Sequence, residues 1–599
     1  MKLKKIITWI LTASMALSFT ACGGNNSSSS AEDPNMLATA PDYSKYTHQF
    51  DFYGYGAPTD GYWTEDDLVF YAGEDFRTVE RYKEYKDAGF TILMPQSTAR
   101  IGVTSGNYRE DINGVLLNLP EAWPDNFSEL RTEEWENTKV YWDKAREAGI
   151  EKIIMTDVQI QQFSNVKYGL LIKPENVVIP EGEKSPYMFQ SQEAFDDAIE
   201  MLLGTYIDYP AFYGVMLADE PSYACVESYG QTYRALKRVA KERYNRDIFV
   251  QHNLLPMRAY GGGAYTLFPL LEWFDEEEDS ISMQEYYDLV GGVTADQVVN
   301  PQEKLKQILE AEIAANGGSS SKTAALKYEK YVEGFALSMG SDYIQFDDYP
   351  LRGTEDDPSV ISVYLCEMQV VANVAKKLGI NFYMVTQSYG VTENDKPVHR
   401  VVSNEDCYWL NNTLLAFGVS QIVYYTYFAK SSNSASHFTL NEGSFVTRNG
   451  EKTDIYYSYQ KIMAENQKFA PTYLNFKYQG SRVYSVLPLN FGGDYLTEQW
   501  VDNSYNFVEL KNFTVNKETA LVTESYDKEN NRYMYCVQNI VDAAYKGSLT
   551  FQTTKLTFDS AKYKYVAIYR NGERTLQALD NGTVTIKNAA GQAAYVIPY

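Results

Sequence analysis

The sequence predicts an α/β protein: a (β/α)8 TIM barrel followed by a C-terminal antiparallel β-sandwich. Three observations predict it. A unit of helix, glycine and short apolar strand recurs four times, and eight strand-like runs spread over residues 46–470. Beyond about Ala470 the pattern changes to short strands divided by turn residues.

Lys2, Lys4 and Lys5 precede an apolar run from Ile6 to Leu17, the order of a secretory signal and too short to span a bilayer. Phe19-Thr20-Ala21-Cys22 resembles the lipobox of bacterial lipoproteins, with Phe19 where Leu is usual. The resemblance implies removal of residues 1–21, lipidation of Cys22 and anchoring to the cell membrane on its extracytoplasmic face. Residues 22–45, opening with Gly23-Gly24-Asn25-Asn26 and Ser27 to Ser30, read as a flexible tether.

In the barrel region, helical spacing over Asp75 to Ala88 ends at Gly89 and is followed by the strand Phe90 to Met94. A helix over Thr132 to Ala148 ends at Gly149 before Ile153 to Met155, and one over Val360 to Leu378 ends at Gly379 before Ile380 to Val385. A helix around Leu410 to Phe417 ends at Gly418 before Val419 and Ile422 to Tyr425. Glycine supplies the left-handed position that closes a helix. Phe50 to Tyr55, Tyr213 to Ala218, Asp247 to Asn253 and Asp342 to Phe346 complete eight strands as the first, fourth, fifth and sixth. An acidic, glycine-rich insertion near residues 261–304 reads as a solvated rim loop or a lid.

Residues 475–599 carry seven short alternating runs: Ser481 to Leu487, Phe507 to Leu510, Ala520 to Thr523, Arg532 to Gln538, Lys546 to Thr550, Tyr563 to Ile568 and Ala594 to Ile597. Asn571-Gly572 and Asn581-Gly582 are turn signals between strands, as in a sandwich. Such a domain binds glycan or packs on the barrel.

With 79 acidic against 53 basic residues, a net charge of −26 repels phosphate backbones and argues against nucleic-acid binding. Cys225, Cys366, Cys407 and Cys536 lie far apart, as do the four histidines, so neither a zinc cluster nor a multi-His centre is expected. No cofactor is implied. The 51 tyrosines supply rings that stack on sugar faces or fill a core. Oligomeric state is not written in these features.

The chemistry is expected at strand ends. Val215 to Ala218 is an apolar run that stops abruptly at Asp219-Glu220-Pro221, where proline prevents further pairing. One reading places two catalytic carboxylates at the C-terminal end of a barrel strand. The other is an acidic turn in which Ser222 or Asp219 caps the next helix.

The barrel with its sandwich, and Ala218-Asp219-Glu220-Pro221 after the fourth strand, resemble the retaining glycoside hydrolases with (β/α)8 folds. There an Asn-Glu-Pro segment carries the acid/base glutamate. The resemblance implies an oligo- or polysaccharide substrate, Glu220 as proton donor and Asp219 in the place of the Asn that binds a sugar hydroxyl. The sequence departs from the pattern on the seventh strand, where the nucleophilic glutamate is expected and Gln387 stands.

Three explanations follow. Ile344-Gln345-Phe346-Asp347-Asp348-Tyr349-Pro350 parallels the fourth strand and offers a second carboxylate; Asp348 is favoured, with Asp347 and Tyr349 as substrate ligands. Alternatively, Asp219-Glu220 resembles the β-N-acetylhexosaminidases, in which the substrate's acetamido group is the nucleophile, and Gln387 and Tyr389 would help hold it. The third is a catalytically inactive surface glycan-binding lipoprotein. Trp63, Asp157, His252-Asn253 and Tyr425-Thr426-Tyr427 also fall at expected strand ends, and Trp63, Asn253 and Tyr425 are candidate sugar ligands.

Overall fold

The structure is a computed structural model, and it describes residues 34–59, 75–95, 100–102, 109–110, 116–117, 123–182, 185, 187–257, 314–318, 320–353, 358–360, 363–393, 396–429, 431–434, 437–447, 449–484, 501–516, 520–542, 544 and 551–599. Cys22, Trp63, the signal and the 261–304 insertion lie outside them. The chain divides into two units, residues 1–40 and 41–599. The described part of the first holds a short helix, Pro34–Ala38. The second unit is a mixed α/β body with parallel strands and an antiparallel C-terminal half.

Seven of the eight expected parallel strands form as ladders. Asp51–Gly54, Val419–Tyr425, Asn381–Gln387 and Tyr343–Asp348 make one parallel sheet in that order. Ile153–Thr156, Phe212–Asp219 and Phe249–Asn253 make a second. The second expected strand is reduced to a bridge from Leu93 to Ile153, because the amides of Thr91 and Ile92 both donate to the Phe52 carbonyl and no regular ladder continues. Another bridge, Leu254 to Phe346, links the fifth and sixth strands.

Alternation along these strands makes two apolar environments. Tyr53, Tyr55, Ile92, Met94, Ile154, Met216, Val385 and Val423 form one small cluster among the strands. Residues of the other parity, such as Phe52, Val215, Ile344, Phe346, Met384 and Ile422, join the main core with the helices. The helices run a few residues off expectation: Val79–Asp87, Phe127–Glu147, Tyr364–Leu378 and Asn404–Ala416. Gly89, Gly149, Gly379 and Gly418 all carry φ between 70° and 112°, the left-handed turn that their spacing announced.

One sheet was not expected. Gly390–Glu393, Lys396–His399, Ser431–Ser434 and His437–Glu442, in the segments after the seventh and eighth strands, form a four-stranded antiparallel sheet. Its glycine, proline and serine content reads as loop.

The C-terminal half has a six-stranded sheet, in the order Lys477–Tyr484, Ala520–Asp527, Arg532–Asn539, Ala593–Pro598, Tyr565–Arg570, Glu573–Ala578. Leu510–Val515, Phe551–Phe558 and Thr583–Ala589 form a three-stranded sheet. Val522, Val537, Val566 and Val596 of the first share an apolar cluster with Leu556, Phe558, Val584 and Ile586 of the second. Asn571-Gly572 closes a two-residue hairpin between Arg570 and Glu573, both turn residues at positive φ. The other face of the six-stranded sheet packs on helices Asn404–Ala416 and Asp454–Tyr473: Phe469 lies 5.0 Å from Tyr569 and 4.9 Å from Tyr595, ring centre to ring centre. Trp409 Nε1 donates to the Ile540 carbonyl at 3.1 Å. Buried Arg400 joins Asp406 at 2.7 Å and Asp542 at 2.9 Å. Among the described residues no helix is long and apolar enough to cross a membrane.

Candidate active site

The fourth strand ends in a backbone turn that explains how two consecutive carboxylates serve one site. In a regular strand Asp219 and Glu220 would point to opposite faces. Glu220 instead has φ of 47°, left-handed and not a glycine, at a cost of about 1–2 kcal/mol. Its amide donates to the Asn253 carbonyl at 3.0 Å, which fixes the turn against the fifth strand. Both side chains are exposed, and both act on the same group, Asp347.

Asp219 is held from two sides. Asn253 Nδ2 donates to its Oδ1 at 3.1 Å and the Tyr55 hydroxyl reaches the same oxygen at 3.4 Å. Gln251 Nε2 donates to Tyr55 Oη at 3.1 Å, so a polar file runs from the interior to the rim. Burial, then the Asp219 charge, raises the Tyr55 phenol well above its ordinary range.

Asp347 is buried, and burial followed by the charges of Glu220 and Asp219 raises its carboxyl well above the usual carboxylate range. A hydrogen bond shared with Glu220 acts in the same direction, and the Tyr349 hydroxyl, donating at 2.8 Å, opposes it.

The sixth strand also decides between its two aspartates. Tyr343, Gln345 and Asp347 share one parity, and Gln345 accepts from the interior Tyr53 hydroxyl at 3.1 Å. Ile344, Phe346 and Asp348 share the other, the face that packs on the helices. Asp348 accordingly lies behind the site, where its charge acts on Tyr328 and Tyr364 and its Oδ1 accepts the Tyr349 amide at 2.7 Å. The carboxyl beside Glu220 is Asp347, whereas the sequence reading favoured Asp348.

Gln387 is placed differently from expectation. Its Oε1 accepts the Leu351 amide at 2.9 Å and its Nε2 donates to the Tyr389 carbonyl at 2.9 Å, so the amide, fully buried, ties three loop backbones together. Beside it stands a wall of rings: Tyr349, Tyr389 and Tyr425 lie 5.1–5.4 Å apart, centre to centre, and Tyr55 lies 5.8 Å from Tyr425. His399 continues the wall, 5.6 Å from Tyr389. Arg352 Nη1 donates to His399 Nε2 at 2.6 Å and to the Val398 carbonyl at 3.3 Å.

The remaining rim residues are structural. Asp157 pairs with buried Arg131 at 2.7 Å, accepts the Tyr206 hydroxyl at 2.9 Å and caps the helix Val158–Ser164. His252 faces away from the site, stacked 4.2 Å from Tyr343, and burial lowers it to about 3. Tyr427 packs in the main core. Neither Ser222 nor Asp219 caps the following helices through its side chain. Sequence reading missed Tyr55, Arg352 and His399. Tyr55 shares the parity of Tyr53 at the end of the first strand, a usable signal; Arg352 lies on the short strand Leu351–Gly353, which pairs with Pro358–Val360, and His399 on the four-stranded sheet, and neither carried one. The four described cysteines are buried and unbridged. Among the described residues no set of three or more His, Cys, Asp or Glu side chains is arranged to hold a metal ion.

No family model and no curated protein matches the chain. Among solved structures it is similar to a GH27 β-L-arabinopyranosidase from Geobacillus stearothermophilus, at 9% identity over 93% of this chain and 98% of that one, with a TM-score of 0.39. It is similar to a glucosidase from Croceicoccus marinus, at 9% identity over 92% and 96% and a TM-score of 0.35. An α-amylase from Anoxybacillus gives 11% identity over 93% and 99%, also at 0.35. These neighbours are glycoside hydrolases, and at such TM-scores the likeness carries no part of the functional reasoning.

Proposed function

We propose that the protein is a glycoside hydrolase in which Glu220 is the general acid/base and Asp347 its partner carboxyl. The observation that carries this reading is the buried Asp347 carboxyl beside Glu220, raised above the usual carboxylate range by burial and by the Glu220 charge, at the C-terminal ends of the sixth and fourth strands and next to a wall of tyrosines. A carboxyl pair that shares one proton keeps an acid available above the pH at which a solitary carboxyl has lost it. Glu220 is the exposed member, so it meets the glycosidic oxygen, hands over the proton as the bond breaks, and takes one back from the attacking water. The tyrosine faces suit the C–H faces of sugar rings.

The finer architecture belongs to the same reading. We take the eight runs as one (β/α)8 barrel over residues 46–470, supported by hydrogen bonds from Thr91 to Phe52 and from Leu93 to Lys152 and by the Leu254–Phe346 bridge. Residues 475–599 are taken as a β-sandwich. The lipid anchor at Cys22 remains a proposal from sequence; loss of radiolabelled palmitate incorporation in Cys22→Ala tests it.

The activity test is a panel of aryl glycosides assayed with wild type, Glu220→Gln, Asp347→Asn and Asp348→Asn. Each of the first two substitutions is expected to lower kcat by about 10²–10⁴, and Asp348→Asn by much less. Turnover unaffected by Glu220→Gln would overturn the acid assignment.

A further inference from the structure

The turn that presents Glu220 is gripped by two buried phenols on the helices behind it. The ladder between the fourth and fifth strands breaks just before that turn: Met216 stands opposite Gln251 and Asp219 opposite Asn253, so the fourth strand carries one residue more than its neighbour over this span. A bulge of this kind interrupts pairing and re-aims the side chains beyond it. At the break, two tyrosines bridge the strands. Tyr229, on the helix Val226–Tyr244, donates its hydroxyl to the Ala218 carbonyl at 2.8 Å, and the backbone of Asn253 hydrogen-bonds to the same phenol. Tyr331, on the helix Ser320–Met339, donates to the Pro221 carbonyl at 2.8 Å and accepts the Leu255 amide at 3.2 Å. Each phenol thus joins the fifth strand, or its continuation, to a carbonyl on one side of Asp219-Glu220.

The two rings are themselves fixed. Tyr229 is 0% and Tyr331 1% exposed, and Phe335 packs edge-on against both, 5.3 Å from the first and 5.0 Å from the second, centre to centre. Tyr328, one turn before Tyr331, donates to the Leu255 carbonyl at 3.0 Å, so one helix holds both backbone groups of Leu255. The carbonyls before and after the carboxylate pair, and the Glu220 amide between them, are all pinned. Pinning matters because Glu220 sits at φ of 47°. A residue keeps such a backbone conformation only while its surroundings over-determine it. Freed at either carbonyl, the turn can relax toward extended backbone, which swings the Glu220 carboxyl away from the glycosidic oxygen.

We infer that Tyr331, together with Tyr229, is a positioning residue for general acid catalysis, holding Glu220 in the turn from which it protonates the leaving oxygen. The inference rests on the glycosidase reading above. It requires a loss that depends on the leaving group. A phenyl glycoside expels a poorly stabilised phenolate and needs the Glu220 proton as the C–O bond breaks, whereas 2,4-dinitrophenolate carries its negative charge unaided and departs without one.

The test compares kcat/KM for phenyl and 2,4-dinitrophenyl glycosides of glucose, galactose, xylose and arabinose, in both anomeric forms. Wild type, Glu220→Gln, Tyr229→Phe and Tyr331→Phe are assayed, with circular dichroism to verify folding. Each tyrosine variant loses one oxygen and keeps its ring. Tyr331→Phe is expected to lower the phenyl value about tenfold or more and the dinitrophenyl value by less than about threefold, the signature of Glu220→Gln on a smaller scale. Tyr229→Phe is expected to do the same; should one variant fail to fold, the other decides. Equal losses on both leaving groups, the mark of a merely structural role, overturn the inference and leave the glycosidase reading standing. Undiminished phenyl turnover in the folded variants does the same. If wild type cleaves none of these glycosides, or Glu220→Gln shows no dependence on the leaving group, the acid assignment fails and the inference with it.

Discussion

Asp347 and His252 are both buried titratable groups, and they tilt stability in opposite directions. Asp347 binds its proton more tightly in the folded chain than in the unfolded one, where it titrates near its ordinary value of 3.8. Native stability therefore falls as pH rises from about 4 through the raised Asp347 value, by about 1.4 kcal/mol per pH unit. Asp347→Asn is expected to remove that fall and to raise the melting temperature at neutral pH; thermal unfolding of both proteins across pH measures it. His252 stays neutral in the fold down to about 3, while its unfolded form protonates near 6.5. Its share of stability is intact above 6.5 and is lost as pH drops toward 3, again by about 1.4 kcal/mol per unit. His252→Phe, which keeps a ring against Tyr343, is expected to flatten the acid limb of the same curve.

The site residues were legible to different degrees for a physical reason. Asp219 and Glu220 stood out because an apolar strand stopped dead on two carboxylates. Asp347 and Asp348 were seen as a pair, and strand parity, with Ile344 and Phe346 facing the helices, was the means of choosing between them. Gln387 drew notice for standing where a nucleophile was expected, and no local pattern says that its amide serves three backbone segments.

At the scale of elements, the glycine that follows each of the four helices before the second, third, seventh and eighth strands was the most reliable sign. Gly379 separates the backbone cost from any steric one, because a Cβ there would meet nothing within 4 Å while φ is 70°. Gly379→Ala is expected to cost about 1 kcal/mol, read as a lower urea midpoint with unchanged slope. Elements that depend on distant partners were the ones missed. The four-stranded sheet formed by Gly390–Glu393, Lys396–His399, Ser431–Ser434 and His437–Glu442 brings together segments some fifty residues apart, and neither segment shows a strand pattern alone. The second expected strand failed for the converse reason: its composition suits a ladder, but two of its amides share one carbonyl.

For the 41–599 unit as a whole, the C-terminal half is part of the core. Asn404–Ala416 and Asp454–Tyr473 bury rings against the six-stranded sheet, and Arg400, at 2% side-chain exposure, is neutralised from both halves. Asp542→Ala leaves the guanidinium with Asp406 alone and is expected to cost about 3 kcal/mol, in the range found when a buried ion pair is broken. The measurement is equilibrium urea unfolding, and a single transition in wild type is expected because the two halves share one core.

The sheet order has a consequence for how the chain is made. Ala593–Pro598 lies between Arg532–Asn539 and Tyr565–Arg570, an interior position in the six-stranded sheet. Until residue 598 has left the ribosome that sheet is two separate pieces with open edges, and the helices of the barrel half have only an incomplete surface to cover them. The nascent chain's exposed edges are therefore open to pairing with a neighbour's until Ala593–Pro598 slides into the gap.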